Sequence, residues 1–268
     1  MKRILMTAIG LAGCWAAAAE KPTQPAKRPP RLHMLSGSKE YQSEPSLKAF
    51  AAYLEKHYGV RSTLSLGRDG IKELPNLAAM ADADVLVVFC RRVKITGEQL
   101  RRIQGWCKAG KAVVGLRTAS HAFQNWLAFD REVLGGDYKG HGGGEKAIEV
   151  SLNAKARSHP VLKGVRPWTR AGKLYRNPKP AADVTLLLTA KGRGDSQPVA
   201  WVRTQANGGR VFYTSMGVPT DFQDATFQRL LVNAVFWTAK RGVPAFKPAA
   251  PPAAAKSDGG GAVPASRG

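Results

Sequence analysis

Acidic residues are scarce in this sequence: 19 Asp and Glu face 41 Lys and Arg, a formal net charge of +22. Such a balance favours polyanions. The basic residues are scattered, however, and no Lys/Arg run reaches the length of a nucleic-acid-binding arm, so no nucleic-acid partner is expected. Cysteine is scarcer still, at Cys14, Cys90 and Cys107. Cys90 ends an apparent strand and Cys107 ends the helix that follows, which puts them roughly 18 Å apart at about 1.5 Å rise per residue. A disulfide needs Cα atoms within about 7 Å, so no pairing is expected. Histidines 121, 141 and 159 show neither i, i+4 spacing nor a Cys-x-x-Cys partner, and no metal is expected. No apolar run approaches the ~20 residues of a membrane-spanning helix. A phosphate loop is absent too: the glycines of Tyr138–Gly144 (YKGHGGG) follow no strand and precede no Gly-Lys-Ser/Thr.

What is present organises the chain into four parts. A basic start (MKR), an apolar stretch (ILMTAIGLAG) and small residues near Ala19 read as an export signal over residues 1–19. Leu11-Ala12-Gly13-Cys14 equally resembles a lipobox that would lipidate Cys14, and both readings stand. Either makes the mature protein periplasmic, secreted or lipid-anchored. Residues 20–30 form a Pro- and charge-rich linker, and residues 242–268 a Pro/Ala/Gly-rich tail expected to be disordered. The domain is therefore 31–241. With 44% hydrophobic residues the chain can build a core.

Within the domain, strand and helix patterns alternate. Strands are expected at 31–37, 61–66, 83–90 and 111–117, with helices at 43–59 and from Thr96 to Gly110, and a helix-like pattern after 117. Ser43 is the expected N-cap of the first helix, and Thr96-Gly97-Glu98-Gln99 has capping-box spacing. The second half is β-rich, with strands at 145–152, 184–190, 198–204 and 209–217, and a last helix from near Asp224. Asn207-Gly208-Gly209 is a hairpin turn. This rhythm predicts an α/β fold: a flavodoxin-like, doubly wound, mostly parallel sheet with helices on both faces.

Ligands of such sheets bind beyond the carboxyl ends of the strands. That edge holds Ser36, Gly37, Ser38, Glu40 and Tyr41, then Cys90, Arg91 and Arg92, then Arg117, Thr118, Ser120 and His121, and Gly217 after the last strand. His121 is the leading acid/base candidate. It is expected at a helix start with Ser120 as N-cap, where the dipole favours the neutral imidazole. Arg117 is the expected holder of an oxyanion or hydroxyl, and His141 of the Gly-rich loop is expected to close over the site. Cys90 is either a thiol activated by Arg91 and Arg92 or a small apolar core residue. Three arginines at one edge favour an anionic or highly hydroxylated ligand, unless they pair with Glu40, Asp130 or Asp137. Tyr41, Phe123 and Trp126 offer flat faces for a sugar ring. His159-Pro160 reads as a structural turn.

The stretches ADVLVVFCRR, AGKAVVGLRTASHAFQNW, VLGGDYKGHGGG, HPVLKGV, PVAWVRT…GGRVFYTSMG and FQRLLVNAVFW occur in that order. This order resembles the ThuA-like (trehalose utilisation) family over about residues 31–241. The resemblance implies a fold similar to class I glutamine amidotransferases and a link to disaccharide and keto-sugar metabolism; a small-molecule sugar or sugar-acid ligand is expected, and no cofactor. The chain departs from it twice. Val218 follows Met216-Gly217 where many members carry a histidine, and Gly172-Lys173 precede Leu174-Tyr175 without the usual carboxylates. The strand-turn at 111–123 also lacks the cysteine that a glutaminase needs. The resemblance thus leaves two readings open, a sugar-active enzyme or a binding module that kept the crevice.

Overall fold

The computed structural model describes residues 28–194 and 196–247. The expected export signal with Cys14, linker residues 20–27 and the tail beyond 247 lie outside the described residues. In chain order the elements are β1 (Arg31–Gly37), α1 (Ser43–Tyr58), β2 (Arg61–Leu66), β3 (Val85–Cys90), α2 (Gly97–Lys108), β4 (Ala112–Leu116), β5 (His141–Leu152), β6 (Trp168–Tyr175), β7 (Val184–Lys191), β8 (Gln197–Thr204), β9 (Arg210–Thr214) and α3 (Ala225–Thr238). No described helix is long and apolar enough to cross a membrane.

All nine strands form one mixed sheet in the order β2-β1-β3-β4-β9-β8-β7-β5-β6. Pairing is parallel from β2 through β9. It is antiparallel from β9 to β6. The sheet is therefore half antiparallel rather than mostly parallel. The short β7–β8 and β8–β9 connections are hairpins, which reverse the chain where a parallel return needs a crossover. At the β8–β9 turn Asn207 accepts from the Gly209 N–H and donates to the Cys107 and Lys108 carbonyls, which fixes the hairpin to the end of α2.

Alternate strand residues enter two clusters, as the period of two demands. Leu32, Met34, Val85, Val87, Val114 and Leu116 pack with Leu47, Phe50 and Leu54 of α1 and Phe227, Leu230 and Leu231 of α3. Leu35, Leu86, Val88, Cys90 and Val113 pack with Ile103, Trp106 and Cys107 of α2. Each such side chain contributes about 1.5–3 kcal/mol on burial. Cys90 and Cys107 are both free and buried.

Three local expectations are corrected. Ser43 is not the N-cap of α1; Gln42 is, in a left-handed conformation. The Ser43 hydroxyl instead turns back to accept from the Gly37 and Ser38 N–H groups. Thr96 stands at the α2 N-cap without a side-chain cap bond, and Gln99 of the supposed capping box is engaged elsewhere. Its amide clasps the N–H and C=O of Leu74. No long helix follows β4: a 3-10 turn spans Arg117–His121 and a π turn Asp130–Leu134.

Candidate functional site

The site is built around the turn that leaves β4. Arg117 is its first residue and has φ 43°, a left-handed conformation unusual for a residue with a side chain. Arg92, at the end of neighbouring β3, has φ 49°. The two turns are tied together, as the Arg92 N–H donates to the His121 carbonyl at 2.9 Å and the Val93 N–H to that of Ala122 at 2.8 Å. The Tyr213 hydroxyl from β9 donates to the Arg117 carbonyl at 2.8 Å. Strained residues persist only where their surroundings over-determine them, and these bonds do so.

Arg117 does not face a ligand. It is 0% exposed. Its guanidinium lies 4.0 Å from the Tyr41 ring centre and 4.6 Å from that of Tyr175. It donates to the carbonyls of Ser215 (2.8 Å) and Lys173 (3.4 Å), and Nε has no partner. It is the floor under two aromatic rings, and those rings continue outward. Tyr175 packs 4.6 Å from Tyr138, and Tyr138 stacks on the His121 imidazole at 4.8 Å with 17° between planes. His141 stacks on Tyr175 at 5.9 Å.

His121 is half-buried at the end of the 3-10 turn, not at a helix start. Ser120 is correspondingly no N-cap: its hydroxyl lies 3.0 Å from His121 Nδ1 and 3.5 Å from the Arg117 carbonyl. The imidazole pKa is lowered to about 4, first by burial and then by the charges of Arg91, Arg92 and Arg117, with Glu40 opposing. The neutral form expected from a helix dipole thus arises from burial and arginines. If the single Ser120 proton points to the Arg117 carbonyl, Nδ1 donates to Ser120 and Nε2 keeps a lone pair able to accept a proton. With the bond reversed, Nε2 is a donor.

Around the imidazole runs a charged rim. Glu40 lies 3.3 Å from Lys173 and 3.5 Å from Arg91, and Arg91 reaches Asp69 at 2.7 Å. Burial raises the Glu40 pKa, but hydrogen bonds with Tyr41 and Lys173 and the charges of Lys173 and Arg91 bring it below the usual carboxylate value. Asp130 is a different carboxyl. Burial raises it to about 6 against the Tyr138 N–H that it accepts, and one of its oxygens has no partner. Gly136 lies against it so closely that any side chain there would collide with the Asp130 carboxylate.

Other expected site residues lie deeper. Ser36 is buried and bonds the Ser43 hydroxyl at 2.8 Å. Gly37 packs on Cys90 and Val93. The Cys90 thiol is fully buried, which raises its pKa and matches the apolar core reading. Thr118 is buried with no partner for its hydroxyl. Phe123 is buried in a ring cluster with Trp126 and Phe129, on the core side. His141 is not in a free loop but opens β5, paired with Tyr175 of β6. His159 accepts from the Val161 N–H and packs edge-on to Trp237, a structural role.

Gly217 (φ 132°) donates its N–H to Asp221 at 2.7 Å. Asp221 also holds Arg170 through two bonds of 2.7 Å, both side chains buried. The chain's two departures meet here, since a Cβ on Gly172 would lie 3.5 Å from Val218. Sequence reading missed Tyr138, Tyr175 and Lys173. Their only signal is position beside Gly-rich or charged segments, and their meeting depends on the β5–β6 pairing.

A cavity of about 1200 Å³ lies to one side, between residues 68–78 and the start of α2. It joins the rim through Asp69 but contains no residue of the aromatic stack. Among the described residues no three His, Cys, Asp or Glu gather as a metal site.

Comparison with known proteins places this arrangement. The chain resembles the crystal structure of a putative ThuA-like protein from Parabacteroides merdae, with a TM-score of 0.66 and 20% identity over 82% of this chain and 93% of that one. A second putative ThuA-like protein, from Bacteroides uniformis, gives 0.61 and 18% over 81% and 95%. At these identities the likeness is one of fold. No curated protein matches the chain. The family model for ThuA, trehalose utilisation, matches residues 31–238. The chain therefore belongs to the ThuA (trehalose utilisation) family.

Proposed function

We propose that this protein binds a sugar or keto-sugar derivative at the carboxyl edge of β3 and β4 and moves a proton on it through His121, without hydrolysing glutamine. The observation that carries the reading is the neutral imidazole of His121, held by Ser120 and stacked on Tyr138. A neutral imidazole can accept a proton or donate a hydrogen bond, whereas an imidazolium cannot accept a proton. Tyr138, backed by the buried Tyr175, offers the apolar face on which a sugar ring stacks. Glutaminase chemistry is left out because arginine, not cysteine, occupies the elbow. The parallel order β2-β1-β3-β4-β9 supports a flavodoxin-like, doubly wound description of that half of the sheet. Export, with or without a lipid at Cys14, remains part of the proposal on the strength of the first 19 residues.

His121→Ala is expected to lower turnover of the sugar substrate at least about 100-fold, the size of a general acid/base contribution. The melting temperature should stay nearly unchanged, since the ring is half-buried at a turn. Retained turnover would sink the assignment. A second reading, a binding module without chemistry, is favoured by one observation: Val218 and Gly172-Lys173 stand where the family resemblance implies a histidine and two carboxylates, and a Cβ on Gly172 would lie 3.5 Å from Val218. Ligand-dependent thermal stabilisation with no product after long incubation selects this second reading.

A further inference from the structure

The rim of the site carries more positive charge than its carboxylates answer. Glu40 and Asp69 hold Arg91 and Lys173. Two guanidinium groups are left over. Arg117 is sealed beneath Tyr41 and Tyr175 and meets only carbonyl oxygens. Its charge stays in a poorly solvated place, where it acts over a longer range than in water. Arg92 differs in the respect that matters for a ligand. It is exposed, and among the described residues its side chain has no ion pair or hydrogen bond. Its backbone is nonetheless fixed, in the left-handed region and bonded to the His121 carbonyl. Its charge acts on both His121 and Tyr138, the two half-exposed rings of the stack. A free guanidinium on a fixed backbone, whose charge acts with that of buried Arg117 on the same two rings, is a receptor for anionic oxygens, which it can grip in bidentate fashion.

We infer that the ligand of this site is an anion, a sugar acid rather than a neutral sugar, and that Arg92 receives its charged group. The sugar half of this statement rests on the proposed function; the anion half rests on the charge arrangement alone. The negative group sits at Arg92, the ring lies on Tyr138, and His121 faces the carbon or hydroxyl next to the charged end. The same anionic oxygens occur in carboxylates and in phosphates, and the two are separated by the probes.

The test is calorimetric titration of the full chain with matched probes at low salt: glucose and galactose, their carboxylates (gluconate, glucuronate, galacturonate), glucose 6-phosphate, and acetate and inorganic phosphate as sugar-free anions. The expected result is binding of a charged sugar at least about 10-fold tighter than its neutral parent, the scale of one charge-assisted hydrogen bond. Arg92→Gln should remove that preference while leaving the melting temperature of the free protein unchanged. Preference for carboxylates over glucose 6-phosphate identifies the acid source; the reverse identifies a phosphorylated sugar. Neutral and charged sugars binding alike, or Arg92→Gln leaving the preference intact, overturns the inference and leaves the sugar site standing. Arg92-dependent binding of acetate or phosphate with no gain from any sugar keeps the anion and overturns the sugar. Binding of no charged probe at millimolar concentration overturns the inference.

Discussion

At the scale of single residues, the decisive fact is that Arg117 and His121 share a turn and have opposite surroundings. Arg117 is sealed between Tyr41 and Tyr175, and Tyr175 in turn packs against Tyr138 of the His121–Tyr138 stack. His121 is the accessible one. Composition pointed to this edge because arginine, serine and histidine cluster after a buried strand. It could not tell which side chain turns inward, since that depends on Tyr175 arriving from a strand 58 positions along the chain. The histidines give a pH test. Burial lowers His33 to about 4, where its ring nitrogens meet the hydroxyls of Thr63 and Ser65, and His121 is likewise lowered to about 4. Each binds fewer protons folded than unfolded between the ordinary value of 6.5 and about 4, so each contribution is present above 6.5 and is lost as the pH falls through that window. Asp130, raised to about 6, has the opposite sign and gains stability as the pH falls from about 6 toward 3.8. Two histidines outweigh one aspartate, and the melting temperature should decline below pH 6.5. Ring-resolved NMR titration should find His33 and His121 neutral at pH 5.5; a midpoint near 6.5 for either contradicts the burial argument.

At the scale of elements, the legible ones are those whose side chains obey one pattern. The last helix was readable because Asp224 caps it, accepting from the Thr226 and Phe227 N–H groups, and its apolar face follows. β6 was not, because its inward residue Arg170 is charged and Gly172 interrupts it, so no alternation of apolar and polar residues survives. That arginine is nevertheless what attaches the strand to the loop after β9, through Asp221. Removing either partner leaves a buried charge unanswered. Arg170→Ala or Asp221→Ala should therefore cost about 3–5 kcal/mol in denaturant unfolding. A loss below about 1 kcal/mol would show that the pair is solvated. The tail behaves similarly at its start. Residues 242–247 read as featureless, yet the Tyr53 hydroxyl donates to the Lys247 carbonyl and the Lys247 N–H donates to the Tyr58 hydroxyl. Such a strap depends on tyrosines of α1 and leaves no trace in the local sequence.

At the scale of the whole molecule, the sheet's parallel half was legible from alternating strands and helices, and its edge holds the candidate site. The antiparallel half was not, because short β-rich segments fix neither their partners nor their direction until the hairpins are known. That half supplies Tyr175, Lys173 and His141, so the site itself is assembled across the boundary between the halves. The net charge of +22 is spread over the chain, but at the candidate site it leaves Arg92 and Arg117 without a carboxylate, which is the basis of the proposed anionic ligand. The central claim is that ligands meet the His121–Tyr138 stack rather than the cavity beside α2. It is tested most directly by aromatic- and amide-detected NMR during titration with gluconate, glucuronate and glucose. The account predicts saturable shifts of the His121 and Tyr138 ring signals, with the His33 ring unmoved. Saturable shifts confined to residues 68–78 and Gln99, with His121 and Tyr138 unchanged, would contradict it.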